Sequence, residues 1–210
     1  DEINKYATSD GSSQVKNLFG TSFPYPGKSL VLLRSGANMC LYNWKTKKTA
    51  WCISTAEQGE VVEWNAISKA ISYIEPKSQQ LHLRTFDGND IQLTTDGSRE
   101  IVYGQSVHRD EFGIRKGMFW APNGQKLAFY HMDQSMVADY PQVNIFGRIA
   151  KCEPDKYPMA GETSHKVTVL VYDLATKKTV TLQAGDPTDR YFTNIAWSPD
   201  SKTIYMFELN

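Results

Sequence analysis

Neither sign of charge is in excess in this chain: 23 Lys and Arg residues stand against 23 Asp and Glu, and the isoelectric point lies near 7.1. A protein without a basic field has little to gather phosphates with, which argues against nucleic acid as a partner. Long apolar runs are missing too. The longest, such as Val167 to Tyr172, are far below the length of a membrane helix, so no membrane span is expected. No charged-then-apolar segment opens the sequence, so the protein is either cytosolic or begins after a removed signal. Sustained helical periodicity is nearly absent. Only Arg109 to Lys116 suggests one short helical turn. Cysteine is scarce, at three residues, with no Cys-x-x-Cys or Cys/His spacing, and His82, His131 and His165 form no ligand spacing with one another. Neither a metal nor a cofactor is therefore implied.

What is present has a globular balance, 40% hydrophobic and 22% charged, over 210 residues, enough for one large domain or two small ones. Five Trp and eleven Tyr make the chain aromatic-rich, as strands tend to be. Period-two alternation runs through Ser29 to Leu33, Leu81 to Phe86, Ile91 to Thr94 and Val167 to Tyr172. Two units repeat. Trp120-Ala121-Pro122-Asn123-Gly124 matches Trp197-Ser198-Pro199-Asp200-Ser201, with Trp64-Asn65-Ala66-Ile67-Ser68 as a weaker copy. Tyr42-Asn43-Trp44-Lys45-Thr46-Lys47-Lys48-Thr49 matches Tyr172-Asp173-Leu174-Ala175-Thr176-Lys177-Lys178-Thr179. The two units follow in the same order, 22 positions apart from Tyr42 to Trp64 and 25 from Tyr172 to Trp197. Alternating hairpin types at this interval describe β-propeller blades. The fold expected is all-β, a partial β-propeller of three to four antiparallel blades. A blade takes about 40–50 residues and a ring usually closes with about 4–8 of them, so residues 1–210 read as a fragment of a larger, eight-bladed ring; a small closed ring is the alternative. Cys40 and Cys52 flank one hairpin turn and read either as a cross-strand disulfide or as two small buried hydrophobes.

The run Val107-His108-Arg109-Asp110-Glu111-Phe112-Gly113-Ile114, followed by Gly117-Met118-Phe119-Trp120-Ala121-Pro122-Asn123-Gly124, resembles the N-terminal propeller of the dipeptidyl peptidase IV family, in the prolyl oligopeptidase group of serine peptidases. Leu127 to Ser135, Val137 to Pro141 and Tyr157-Pro158-Met159-Ala160-Gly161-Glu162 extend the likeness, and the wording of the motifs is most similar to the bacterial branch. Residues 1–28 carry little of it. The resemblance implies a Ser-Asp-His triad on a separate C-terminal α/β-hydrolase domain. This sequence contains no Gly-x-Ser-x-Gly, so no catalytic residue is expected in it. It also implies a periplasmic or secreted enzyme releasing Xaa-Pro or Xaa-Ala dipeptides, with a prolyl tripeptidyl-type relative or a propeller binding module without a peptidase partner as alternatives.

The resemblance places an acidic pair on Asp110 and Glu111, which would bind the free α-amine of a peptide substrate. Asp110 is one methylene shorter than the residue most familiar there. Arg109 would orient the pair, or is a plain surface arginine. A protonated amine offers three donors, and carboxylates accept them strongly. On a strand, residues 110 and 111 would face opposite ways, so both serve one amine only if the backbone turns there. His108 is read as structural or as titrating near neutrality. Trp64, Trp120 and Trp197 are read as blade core. Asp133 to Tyr157 interrupts the blade rhythm. The resemblance makes it an arm that helps form a homodimer, with Met132, Met136, Val137, Tyr140, Val143, Ile145 and Phe146 as contact material. A glycosidase is disfavoured, because adjacent carboxylates cannot flank a glycosidic bond.

Overall fold

The computed structural model describes residues 21–25, 27–35, 38–54 and 61–210. The weakly patterned residues 1–20 lie outside them. The described chain is nearly all strand and turn, in antiparallel sheets, as the alternation requires. None of its helices is long and apolar enough to cross a membrane. It divides into two compact units, Asp1–Pro76 with His82–Ile91, and Lys77–Leu81 with Gln92–Asn210.

In the first unit, β1 (Leu30–Ser35), β2 (Asn38–Asn43) and β3 (Lys48–Ser54) form one sheet in that order. Strands β4 (Val62–Asn65), β5 (Ala70–Ile74), β6 (Leu81–Thr85) and β7 (Asp90–Gln92) form another. Strand β5 is buried at every position, as a central strand covered on both faces must be. The core is Leu32, Met39, Leu41, Ile71 and Tyr73, with Trp51 and Trp64 packed at its margin. Cys40 lies opposite Cys52 in the β2–β3 register, and the two form a disulfide.

In the second unit, the long strands β10 (Lys126–Asp133) and β15 (Lys166–Asp173) pair along their whole length. They are flanked by β8 (Ile101–Tyr103), β9 (Met118–Trp120) and β16 (Lys178–Thr181). Strands β17 (Tyr191–Trp197) and β18 (Ile204–Leu209) make a further sheet. Tyr130 and Phe192, both about 1% exposed, anchor the core between Val107, Ile114, Val167 and Val169. The Tyr130 hydroxyl donates to the Phe192 carbonyl at 2.6 Å, which satisfies a polar group that is otherwise in apolar surroundings. Trp197 packs on this core and donates its indole N–H to the Phe119 carbonyl at 2.9 Å.

The repeats become turns with one mechanism each. Asn43 Oδ1 accepts from the backbone N–H of Lys45 and Thr46 at 3.1 Å, and Asp173 Oδ1 accepts from Ala175 and Thr176 at 2.9 Å. Lys47 and Lys177 then take left-handed φ of 57° and 55°. Asn65 does the same for Ile67 and Ser68, with Lys69 at 50°, so the Trp64 segment belongs to this turn type and not to the Pro-containing one it was matched with. In the Pro-containing turns, the N–H of Gly124 and of Ser201 bonds back to Ala121 and Ser198, and the two copies touch through Asn123 N–H to Ser201 Oγ at 3.0 Å.

The interruption at 133–157 is a ribbon: β11 (Asp139–Tyr140) pairs with β14 (Asp155–Lys156), and β12 (Val143–Asn144) with β13 (Lys151–Cys152). Arg99 fastens its base, donating to Asp139 at 2.7 Å and to the Pro154 carbonyl at 2.8 Å. Met132 and Val137 turn into the core, whereas Val143, Ile145, Phe146 and Ile149 are exposed and carry the ribbon's apolar surface; Phe146 is 97% exposed.

Candidate functional site

The segment bearing Asp110 and Glu111 is a loop whose two ends rest on one core residue. The Gly104 N–H donates to the Tyr130 carbonyl, and the Tyr130 N–H donates to the Gly117 carbonyl, both at 2.9 Å. At this neck a Cβ on Gly117 would lie 2.0 Å from the Gln105 carbonyl oxygen, so only glycine fits. Further in, Ser106 Oγ donates to the Ile114 carbonyl at 3.2 Å, and Val107 and Ile114 are buried on either side of the tip. Burying two such aliphatic side chains stabilises by about 1.5–3 kcal/mol each, which pins the tip from both ends.

The tip, His108–Gly113, makes a turn where the sequence suggests one, but not a regular helix. His108, Arg109, Asp110 and Phe112 have left-handed φ of 52°, 53°, 62° and 53°, while Glu111 is extended at −68°, 163°. His and Asp tolerate this region; Arg and Phe do so poorly, at about 1–2 kcal/mol each. Both of these strained residues make side-chain contacts. The Arg109 guanidinium lies 3.3 Å from Asp155 and 4.7 Å above the Tyr157 ring, both on the ribbon, and Phe112 meets Tyr191 edge-on at 5.0 Å.

Asp110 and Glu111 are exposed, and their carboxylates have no hydrogen-bond or ion-pair partner among the described residues. The alternation of a strand is broken between them by the change from left-handed to extended backbone. Arg109 does not pair with either; its guanidinium turns to the ribbon. The nearby cleft of about 280 Å³ is lined by Ile114, Arg115, Lys116, Phe119, Tyr130 and Asn194, so the two carboxylates stand outside it.

Beneath the tip lies a group that sequence reasoning did not assemble. His108 and His165, 4% and 7% exposed, place Nδ1 and Nε2 2.6 Å apart. Tyr191 covers His108 at a ring separation of 4.2 Å. Burial, with His165 adding to it, pushes His108 down to about 3, so it does not titrate near neutrality. Burial lowers His165 as well, opposed by the charge of Glu111. His165 lies 57 residues from its partner, and no local spacing announces the contact. No cluster of three or more metal-ligating side chains occurs among the described residues.

Comparison with known proteins gives a consistent picture. A family model described as the dipeptidyl peptidase IV (DPP IV) N-terminal region matches residues 33–210. A protein of Pyrenophora tritici-repentis assigned as dipeptidyl-aminopeptidase B is 26% identical over 212 residues, covering 87% of this chain and 24% of its own length. The crystal structure of a Bacteroides ovatus protein assigned as dipeptidyl aminopeptidase IV superposes with a TM-score of 0.85 at 39% identity, covering 100% of this chain and 28% of that one. Porphyromonas gingivalis dipeptidyl peptidase 4, at 19% identity and a TM-score of 0.68 over 97% of this chain, shares the fold. The chain thus spans about a quarter of the length of these relatives.

Proposed function

The chain belongs to the family of the dipeptidyl peptidase IV N-terminal region, and from that membership we propose that it is the substrate-gating, amine-anchoring part of a serine exopeptidase. In this reading its sheets are propeller blades, and a C-terminal α/β-hydrolase domain supplies the Ser-Asp-His triad. The observation that carries the proposal is a pair of adjacent, unpartnered carboxylates, Asp110 and Glu111, on a loop whose ends are locked to Tyr130.

A peptide's α-ammonium brings three N–H donors and a charge. A charge-assisted bond to a carboxylate contributes about 1.5–3 kcal/mol net when water is excluded, and less while the group stays exposed. A blocked or internal peptide leaves the carboxylates unmatched, so the site rejects as well as attracts. Fixing the amino terminus at one place then selects the scissile bond by distance alone, two residues along for a dipeptidyl peptidase. By the family's habit the second residue is Pro or Ala and the enzyme works in the periplasm or outside the cell. Arg109 contributes indirectly: its ion pair with Asp155 ties the tip to the ribbon.

Glu111→Gln in the complete gene product should lower kcat/KM for a free-amine chromogenic substrate such as Ala-Pro-p-nitroanilide by about 10-fold or more. Wild-type turnover by that variant would remove the amine anchor. The ribbon, with Val143, Ile145 and Phe146 exposed, is the proposed homodimer arm. Phe146→Asp should shift the sedimenting species from dimer to monomer; an unchanged sedimentation coefficient would count against the arm.

A further inference from the structure

The acidic tip has few local reasons to hold its shape. Two backbone bonds close it, from the Asp110 N–H to the Val107 carbonyl at 3.2 Å and from the Ile114 N–H to the Glu111 carbonyl at 3.0 Å, and no side-chain cap stands at its start. Against these stand four left-handed non-glycine residues. Something outside the loop must select this conformation. Tyr191 covers the His108 ring, and the side-chain hydrogen bond that reaches it comes from His165. That residue lies immediately before β15, which is paired to β10 from Lys126 to Asp173 through Asp133 to Lys166, so its backbone is set by the most extensive ladder in the unit.

The bond between the rings needs one N–H and one lone pair. His108 Nε2 is buried and has no hydrogen-bond partner among the described residues. An orphaned N–H is rarer in protein interiors than an orphaned acceptor, so His108 carries its proton on Nδ1 and donates to His165 Nε2. The groups facing the pair are Glu111 from the tip, whose charge acts on His165, and the Tyr191 ring from β17. Neighbouring cations are engaged elsewhere, Arg109 with Asp155 and Arg190 with Glu208 at 3.2 Å.

We propose that His165 is a positioning residue: through His108 it clamps the tip to β15, and the placement of Asp110 and Glu111 depends on that clamp. The effect on turnover rests on the amine-anchor reading; the effect on the tip does not. The test therefore has two readouts. In the 210-residue chain, exchange of the Asp110 and Ile114 amides should accelerate by about 10-fold or more in His165→Leu, and stay within about 3-fold of wild type in His165→Gln, whose amide oxygen can accept the His108 proton. In the complete gene product, His165→Leu should raise KM for the free-amine substrate by about 10-fold with kcat within about 2-fold, and His165→Gln should restore it. Should the leucine variant not fold, His165→Ser, too short to reach His108, carries the same expectation. Unchanged exchange in the leucine or serine variant, or exchange in the glutamine variant as fast as theirs, overturns the clamp. Accelerated exchange with KM unchanged both there and in Glu111→Gln leaves the clamp standing and removes the amine anchor instead.

Discussion

The hairpin turns and the acidic tip both bend the chain through left-handed backbone, and they are held in different ways. At Lys47, Lys69 and Lys177 a single residue is left-handed, and an Asn or Asp four positions earlier (Asn43, Asn65, Asp173) has already satisfied two backbone N–H groups. Each such turn is complete within its own few residues. At the tip four non-glycine residues are left-handed, the side chains of Asp110 and Glu111 support nothing, and the restraints come from Tyr130, His165, Tyr191 and Asp155. A turn built locally spends its polar side chains on itself. A turn held by the scaffold leaves them unspent, which is the condition a binding site needs.

The contrast is sharpest in its response to acid. The tip is held by imidazoles that are buried uncharged, so folding opposes their protonation. His108 stands at about 3 when folded, against an ordinary value of about 6.5 when unfolded. Between those limits the unfolded chain takes up a proton that the folded chain refuses. The stabilisation is full above about pH 6.5 and is lost as pH falls toward 3. At pH 5, 1.5 units below the unfolded value, His108 alone should withdraw about 2 kcal/mol, with His165 and His131, both lowered by burial, adding in the same direction. The hairpin carboxylate Asp173 is lowered by its turn hydrogen bonds and matters only nearer its ordinary carboxylate range, so pH 5–7 isolates the imidazoles. Urea unfolding at pH 7 and pH 5 measures the loss. His108→Asn, with a side chain that tolerates left-handed φ and does not titrate, should flatten it, and a full loss persisting in that variant would place its source elsewhere.

The same division explains what could be read in the sequence. The hairpins were legible because their cause is local: Asn43 and Asp173 cap turns that their own neighbours define, and the two octapeptides look alike for that reason. The limit was resolution between turn types, since Trp64 resembles Trp120 and Trp197 while the turn after it follows the Asn43 pattern. The Cys40–Cys52 bond was open on spacing and is settled by register, because the cysteines face one another across β2 and β3. For the tip, a bend and its two acids were legible. The left-handed run was not, nor were Met132 and Val137 turning inward from the ribbon's base, nor the His108–His165 contact. Each depends on partners tens of residues away, and periodicity carries no information about those.

A smaller effect tests the local half of the comparison. Asp173→Ala removes the acceptor for the Ala175 and Thr176 N–H groups, which are 2.9 Å from it. Both lie at an exposed tip, so water replaces the lost acceptor and the cost should be about 1 kcal/mol, in the range of a lost helix cap. At the acidic tip, Asp110→Asn deletes a carboxylate charge with no partner among the described residues while keeping a side chain that tolerates left-handed φ, and should cost under about 0.5 kcal/mol, since exposed substitutions that disturb no cap, core or special backbone angle rarely exceed that. Urea unfolding at pH 7, above the window in which the imidazoles titrate, compares the two directly. A larger loss at Asp110 than at Asp173 would mean that the tip, too, is held by its own side chains, and the distinction between locally built and scaffold-held turns would fail in this molecule.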